Sequence, residues 1–477
     1  MATSPVSDAQ IVARIERLPL SSWHGKIGLI IGTGFFFDAF DAMAIAYTLP
    51  VLVGLWHLAP SQIGFAISIG FAGQLIGSLF FGWLAEKIGR VPCAIAALVI
   101  FSLMSLACAF TWDLTSMAVA RFFQGLGLGA EIPILATYVN ELASAKRRGR
   151  FAISYQAMFA LGLPITAFLG AWIVPHFGWQ WMFIIGAAPA VIVLPFMWLL
   201  PESPRWLANH GRAEEADRVL SRIEAIISKN GAKPLPPVVA TAPVAANINS
   251  PRGETRIGDL FRGMYLKRTL TVWTMWFCTY IVTFGVLTWA PTLWRTVYQL
   301  SVQQALTYTS ILALIVAPGL IVTISLIDVI GRRKLFLMAF FCGALPMLFL
   351  AIRPDLPAFT TMLLMAVSQF FIGMLALALS TYTAELYPTE LRALGSGFGN
   401  AWLRIGSIAG PIFIGAVLPL AGLKAVFLAF GLFALLGGIV TALFAIESNG
   451  RLLEELSPSL PPRGERLAPA RQAAGDD

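Results

Sequence analysis

YVNELASAKRRG, residues 138–149, returns as YTAELYPTELRALG, residues 382–395; Tyr138, Glu141 and Arg148 match Tyr382, Glu385 and Arg392 at an offset of 244 residues. Two further pairs keep almost the same spacing. EKIGR, Glu86–Arg90, is echoed by DVIGR, Asp328–Arg332, at 242 residues, and ESPRWL from Glu202 by ESNGRLL from Glu447 at 245. Three ordered pairs at nearly one offset mark an internal duplication. The fold follows from what is duplicated.

Outward from each copy the chain runs into apolar stretches of about 20 residues, enough to cross a bilayer as a helix. Twelve such spans fall near 27–50, 62–84, 91–111, 115–138, 151–173, 179–200, 269–292, 304–327, 334–352, 357–383, 393–418 and 422–446. Backbone groups in hydrocarbon must be bonded within their own segment, so the spans are helices. Composition agrees: 57% of the 477 residues are hydrophobic and 12% charged, against about 25% charged in soluble domains. The expected fold is an all-α membrane protein, twelve transmembrane helices in two pseudo-symmetric six-helix bundles. Parallel six-span halves of this kind place a transport site at the midplane between them.

The expected organisation is a cytoplasmic N-tail (1–26), an N-terminal bundle (27–200), a cytoplasmic linker (201–268), a C-terminal bundle (269–446) and a cytoplasmic C-tail (447–477). Within the linker, Ala216, Val219, Leu220, Ile223 and Ile227 are spaced for one face of a helix over 212–228. The stretch 231–252 is rich in Pro and Ala and reads as a flexible connector.

The net charge of +8 is explained by topology. Of 33 Lys and Arg, 28 lie in the tails and in the loops that follow even-numbered spans; Arg295, Arg353 and Lys424 lie on the other side, and Arg121 and Arg404 inside spans. The positive-inside rule then puts both termini in the cytoplasm, and no nucleic-acid partner is needed. The first apolar run is a full span, too long for the core of a cleavable signal peptide. Cys93, Cys108, Cys278 and Cys342 sit in or beside spans, so no disulfide framework is implied.

Five ionisable residues lie deep in spans: Asp38, Asp41, Arg121, Glu131 and Arg404. Each costs about 3 kcal/mol or more if it faces lipid, so they face one another or a wet cavity. At the rise of a helix, Asp41 lies about 13 Å below the outer end of span 1 and Arg121 about 8 Å below that of span 4. The two are therefore an expected ion pair. Arg404 lies near the midplane with Asn400 one turn before it on the same face. A guanidinium suits a planar carboxylate through paired hydrogen bonds, so Arg404 is a candidate substrate ligand, or else a partner of Glu131. Glu131 itself reads as a second proton site, a cation-binding group or that partner. Asp38 orients its neighbour or lines the cavity. Phe40, Trp276, Tyr280, Trp289 and Trp402 are aromatic groups of similar depth for stacking a flat ring, and Gln156 is a polar candidate in span 5. The glycine pairs Gly73/Gly77 and Gly406/Gly410, with Gly125, Gly127 and Gly129, read chiefly as close helix contacts.

Several of these motifs together resemble the major facilitator superfamily: GWLAEKIGR between spans 2 and 3, RFFQGLGLGAE in span 4, PESPRWL, and the two Glu-to-Arg blocks. Within it, the sugar-porter-like branch is the best match over nearly the whole chain. Glu86 stands where the family has Asp, and Ile324 where it has Gly. Span 7 reads WFCTYIVTFGVLTWAP and span 5 FALGLP, without the glutamines that bond sugars in that branch. FFFDAFDAM, ELASAKRRGRFAISYQAMFALG and NAWLRIGSIAGP look more like metabolite–proton symporters, including niacin and aromatic-acid carriers. The resemblance implies that Asp41 with Arg121 couples proton movement. It also implies that Glu86, Arg90, Glu141, Arg148, Asp328, Arg332, Glu385 and Arg392 form a cytoplasmic gate.

The expectation is a bacterial inner-membrane secondary transporter, not an enzyme. It takes up a small organic acid with protons by alternating access, as a monomer in the lipid bilayer. Its partners are a small-molecule substrate and protons, with no cofactor beyond the proton as coupling ion and no metal. There is no Gly-x4-Gly-Lys-Ser/Thr loop to suggest ATP drive. Carriers of organic cations or sugars, proton-driven exporters, and a non-transporting receptor are the alternatives on the same fold.

Overall fold

The computed structural model describes residues 8–144, 148–230, 235–238 and 257–449, with side chains at all of these except 8, 9, 132, 148–150, 152–154, 156, 160, 230, 317, 377, 389, 390 and 393. The expected connector at 231–252, apart from 235–238, and nearly all of the C-tail lie outside the described residues. Among the described residues there is no strand. A short helix α1 (Asp8–Glu16) precedes the first bundle, built from α2 (Ser22–Trp56), α3 (Pro60–Ile88), α4 (Arg90–Ala109), α5 (Leu114–Leu142), α6 (Arg148–Phe177) and the pieces α7 (Gln180–Gly186), α8 (Pro189–Ile192) and α9 (Leu194–Met197). Helices α10 (Pro204–Asn209) and α11 (Ala213–Asn230) follow. The second bundle comprises α12 (Gly263–Thr296), α13 (Val302–Leu314), α14 (Val316–Ile330), α15 (Arg332–Ile352), α16 (Ala358–Leu386) and α17 (Thr389–Phe444).

Eleven helical segments among the described residues are long and apolar enough to cross a membrane. The twelfth span is inside α17. Gly422 there has φ 70° and ψ −174°, a conformation outside the helical region that glycine adopts at little cost. It divides α17 into spans 11 and 12 where the sequence places the turn between them. Span 8 is divided between α13 and α14 at Ile315, and span 6 is the chain of short pieces α7 to α9. Helix starts are set locally. Asp113 and Ser116 form a capping box at α5, as do Ser301 and Gln304 at α13.

The glycines are packing positions. A Cβ on Gly73 would run into Phe122 O, on Gly77 into Leu126 O, on Gly125 into Gly70 O and on Gly129 into Gln74 O. α3 and α5 therefore touch backbone to backbone. Gly406 and Gly410 do the same for α17 against α12, near Phe277 O and Ile281 O.

On the side that carries both tails, α11 buries Ala216, Leu220, Ile223 and Ile227, and half-buries Val219, as its spacing predicts. The unexpected element is α1. It is a helix rather than plain tail, and Ile11, Ile15 and Leu18 in and just after it are buried. Arg14 donates to Asp217, Ser221 and Glu224, Arg17 to Glu224, and Arg205 to Glu16, fastening α1 to α10 and α11.

On the far side the two halves meet. Ser68 Oγ donates to Ile408 O (2.8 Å) and Ser310 Oγ to Ala167 O (2.8 Å). A Cβ on Gly64 would meet Pro411 O, and one on Gly415 would meet Pro60 O. Phe71 of α3 stacks edge-on against Phe284 of α12 at 4.9 Å. These contacts join the two halves on that side.

Candidate functional site

Asp41 on α2 and Arg121 on α5 form the expected pair. Arg121 Nη1 donates to Asp41 Oδ2 at 2.9 Å, and the two residues are 1% and 3% exposed. Gln124, three residues on and on the same helix face as Arg121, completes a closed triangle. Its Nε2 donates to Asp41 Oδ1, and its Oε1 accepts from Arg121 Nη1 at 2.8 Å. Gly70 of α3 makes room for the guanidinium, since a Cβ there would lie 2.9 Å from Arg121 Nη2. Sequence reasoning passed over Gln124, although it sits inside the quoted span 4 motif. A glutamine one turn from a buried arginine was the available signal.

Arg404 does not pair with Glu131. Its Nη1 donates to Oε1 of Gln74, on α3 of the opposite half, and the carboxylate that acts on it is Asp38. Gln74, a lone amide in the apolar run FAGQLIG, is buried and was missed as well. Asp38 interacts with Arg404 and Asp41, and so links the two charge groups. Glu131 is 3% exposed, its Oε2 is buried with no hydrogen-bond partner among the described residues, and the charged group that acts on it is another acid, Asp38. Gly34 borders it, its ideal Cβ position 3.6 Å from that Oε2.

Beside Arg404, α12 presents a ladder. Tyr280 stacks on Trp276 (5.5 Å, 11°) and on Phe284 (5.9 Å, 21°). Asn400 is exposed and donates to Ser396 O of its own helix. Two sequence candidates are placed elsewhere. Trp402 lies roughly 200° around the helix from Arg404 and packs on Trp273 (5.4 Å) and Phe277 (5.9 Å). Phe40 is fully buried and faces Phe37 at 6.3 Å. Both fill helix contacts, because the residues that share their depth do not share their face. Trp289 is likewise committed, donating to Pro411 O at 3.1 Å. The side chain of Gln156 lies outside the described residues.

Residues 29–460 match the family described as "Sugar (and other) transporter". The chain belongs to that family. It is a transporter of the major facilitator superfamily. It is 34% identical over 448 residues to the niacin transporter NiaP of Acinetobacter baylyi, covering 94% of this chain and 99% of that protein. It is 30% identical to the gallate transporter of Pseudomonas putida, covering 96% and 99%. In fold it matches the inward open conformation of the xylose transporter XylE from E. coli, with TM-score 0.73 at 20% identity over 91% of this chain and 99% of that one.

At its tail side the transporter carries the duplicated charge clusters. Arg90 binds Glu86 (2.9 Å) and Glu141 (2.9 Å); Arg332 binds Asp328 (2.7 Å) and Glu385 (3.0 Å). Each of these four ion pairs lies within one half. Glu385 also accepts from Ser448 Oγ, and the Nε of Arg392 is buried with no hydrogen-bond partner among the described residues. The side chain of Arg148 lies outside the described residues.

Proposed function

We propose that this transporter carries a small aromatic or heteroaromatic carboxylate into the cell together with protons. The observation that carries the reading is Arg404. It is a partly buried guanidinium between the halves, bonded among the described residues to a single neutral amide, with the flat Trp276–Tyr280–Phe284 ladder beside it. A guanidinium offers a two-pronged donor to a carboxylate, and stacked rings accept a flat ring. The niacin and gallate carriers among its relatives support the same substrate class.

Coupling is assigned to the Asp41–Arg121–Gln124 triangle. Asp41 is neutralised by Arg121 in this structure. When rearrangement during the transport cycle separates the pair, the acid takes a proton, because a desolvated carboxylate without its cation favours the neutral form. Asp38 and Glu131 are further proton sites, and the positive-inside pattern makes the tail side cytoplasmic. Glu131, whose Oε2 has no hydrogen-bond partner among the described residues, favours one second reading, an organic-cation carrier in which that carboxylate holds the cation.

Proteoliposome uptake separates the two. Labelled nicotinate, 4-hydroxybenzoate and gallate are offered with and without an inward proton gradient, beside a quaternary ammonium. Gradient-driven accumulation of a carboxylate, lost in Asp41→Asn while exchange persists, is the expected result. Accumulation of the ammonium alone selects the second reading.

A further inference from the structure

We propose that Gln74 is the displaceable partner of Arg404: a neutral amide that ties the guanidinium across the two halves until a substrate carboxylate takes its place. The inference rests on the carboxylate reading of Arg404 and adds to it the group that competes with substrate.

The bond differs in kind from the two cross-half hydrogen bonds made by Ser68 and Ser310 to backbone. Ser68 and Ser310 end on the backbone carbonyls of Ile408 and Ala167, which move only with their helices. Arg404 ends on a side chain, which rotates. The backbone of Gln74 is fixed at the same time. Gly129 packs against its carbonyl so closely that a Cβ would collide, and a Cβ on Gly125 would lie 3.2 Å from its nitrogen. α3 and α5 therefore hold Gln74 in place while its amide stays free to turn.

Arg404 is poised for exchange. Among the described residues it makes one hydrogen bond, to Gln74, out of five N–H donors. Asp38 acts on it electrostatically without a hydrogen bond. An amide oxygen supplies one neutral acceptor, whereas a carboxylate supplies two charged ones that fit the guanidinium fork. Replacement of Gln74 by substrate is thus favourable, and it removes a bond that spans the halves. Substrate binding and release of this tether become one event, which loosens the contact between the halves only when the site is filled.

The test measures dissociation constants with the full-length detergent-purified chain and whichever of nicotinate, 4-hydroxybenzoate or gallate binds the wild type. Gln74→Ala, and Gln74→Met, which keeps the length and loses the acceptor, tighten the carboxylate by about fivefold, the worth of one hydrogen bond removed from the free state. Gln74→Glu supplies a resident carboxylate and weakens binding more than tenfold. Unchanged or weaker binding in both Gln74→Ala and Gln74→Met, with Arg404→Ala abolishing binding, overturns the role of Gln74 and leaves the carboxylate reading standing. Undiminished binding in Arg404→Ala overturns both.

Discussion

Glu447 stands to Arg332 as Glu202 stands to Arg90. Glu202 accepts from the backbone N–H groups of Arg90 (3.0 Å) and Val91 (3.1 Å) at the start of α4, and Glu447 from those of Arg332 (2.9 Å) and Arg333 (3.1 Å) at the start of α15. Each carboxylate satisfies donors that a helix start leaves free. The preceding Gly89 (φ 108°) and Gly331 (φ 88°) make the approach possible, because a Cβ on either would strike the glutamate carboxylate. Two repeats that looked separate in the sequence, EKIGR/DVIGR and ESPRWL/ESNGRLL, are one device in each half.

Glu202→Ala and Glu447→Ala are therefore expected to destabilise by similar amounts, about 1–2 kcal/mol each, the loss typical of a helix cap. Thermal unfolding in detergent checks this. A melting point that moves in only one variant speaks against equivalent roles.

The Asp41–Arg121 pair is closed off from water, so breaking it from one side leaves a charge without its partner. Arg121→Ala is expected to cost about 3 kcal/mol. Adding Asp41→Asn to that variant should restore part of the loss, since it removes the orphaned charge. Simple addition of the two single losses in unfolding measurements rules the pair out as an energetic unit.

Docking of α1 should depend on pH through Glu224. Burial pushes its carboxyl upward, but the bonds from Arg14 and Arg17 outweigh it and hold it below the usual carboxylate range. A lowered acid contributes stability that is present above the ordinary carboxylate value and disappears as pH falls through its own lower value. Hydrogen exchange of residues 10–18 should accelerate on acidification into that window, and Glu224→Gln should show fast exchange already at neutral pH. Slow exchange in Glu224→Gln at pH 7 counts against the ion pairs as the fastening.

Gly125→Ala and Gly129→Ala each drive a methyl into the α3 backbone, at Gly70 O and Gln74 O. Overpacking of this kind costs about 1–3 kcal/mol, so both variants should lose monodisperse protein on size exclusion. Gly82→Ala, with nothing within 4 Å of the added Cβ, should behave as wild type.

Much of this was legible before any tertiary information. The spans follow from apolar length, the duplication from matched motifs, and the Asp41–Arg121 pair from depth along two helices. Rotation about the helix axis was harder to read. Trp402 shares Arg404's depth and faces away from it, and Phe40 is spoken for by Phe37. Neutral side chains were the larger omission. Gln124 and Gln74 complete both polar centres, yet an uncharged amide in an apolar run raises no alarm in composition or hydropathy.

By itself the sequence determined that this chain is a duplicated twelve-span bundle with acids and guanidiniums hidden inside, because hydrocarbon tolerates neither open backbone nor lipid-facing charge. Only the tertiary structure decided which buried group meets which. Arg404 reaches Gln74 rather than Glu131, and Glu131 is left beside another acid. Those choices depend on how α3, α5 and α17 are rotated against one another, which their glycine contacts set and which no single helix contains.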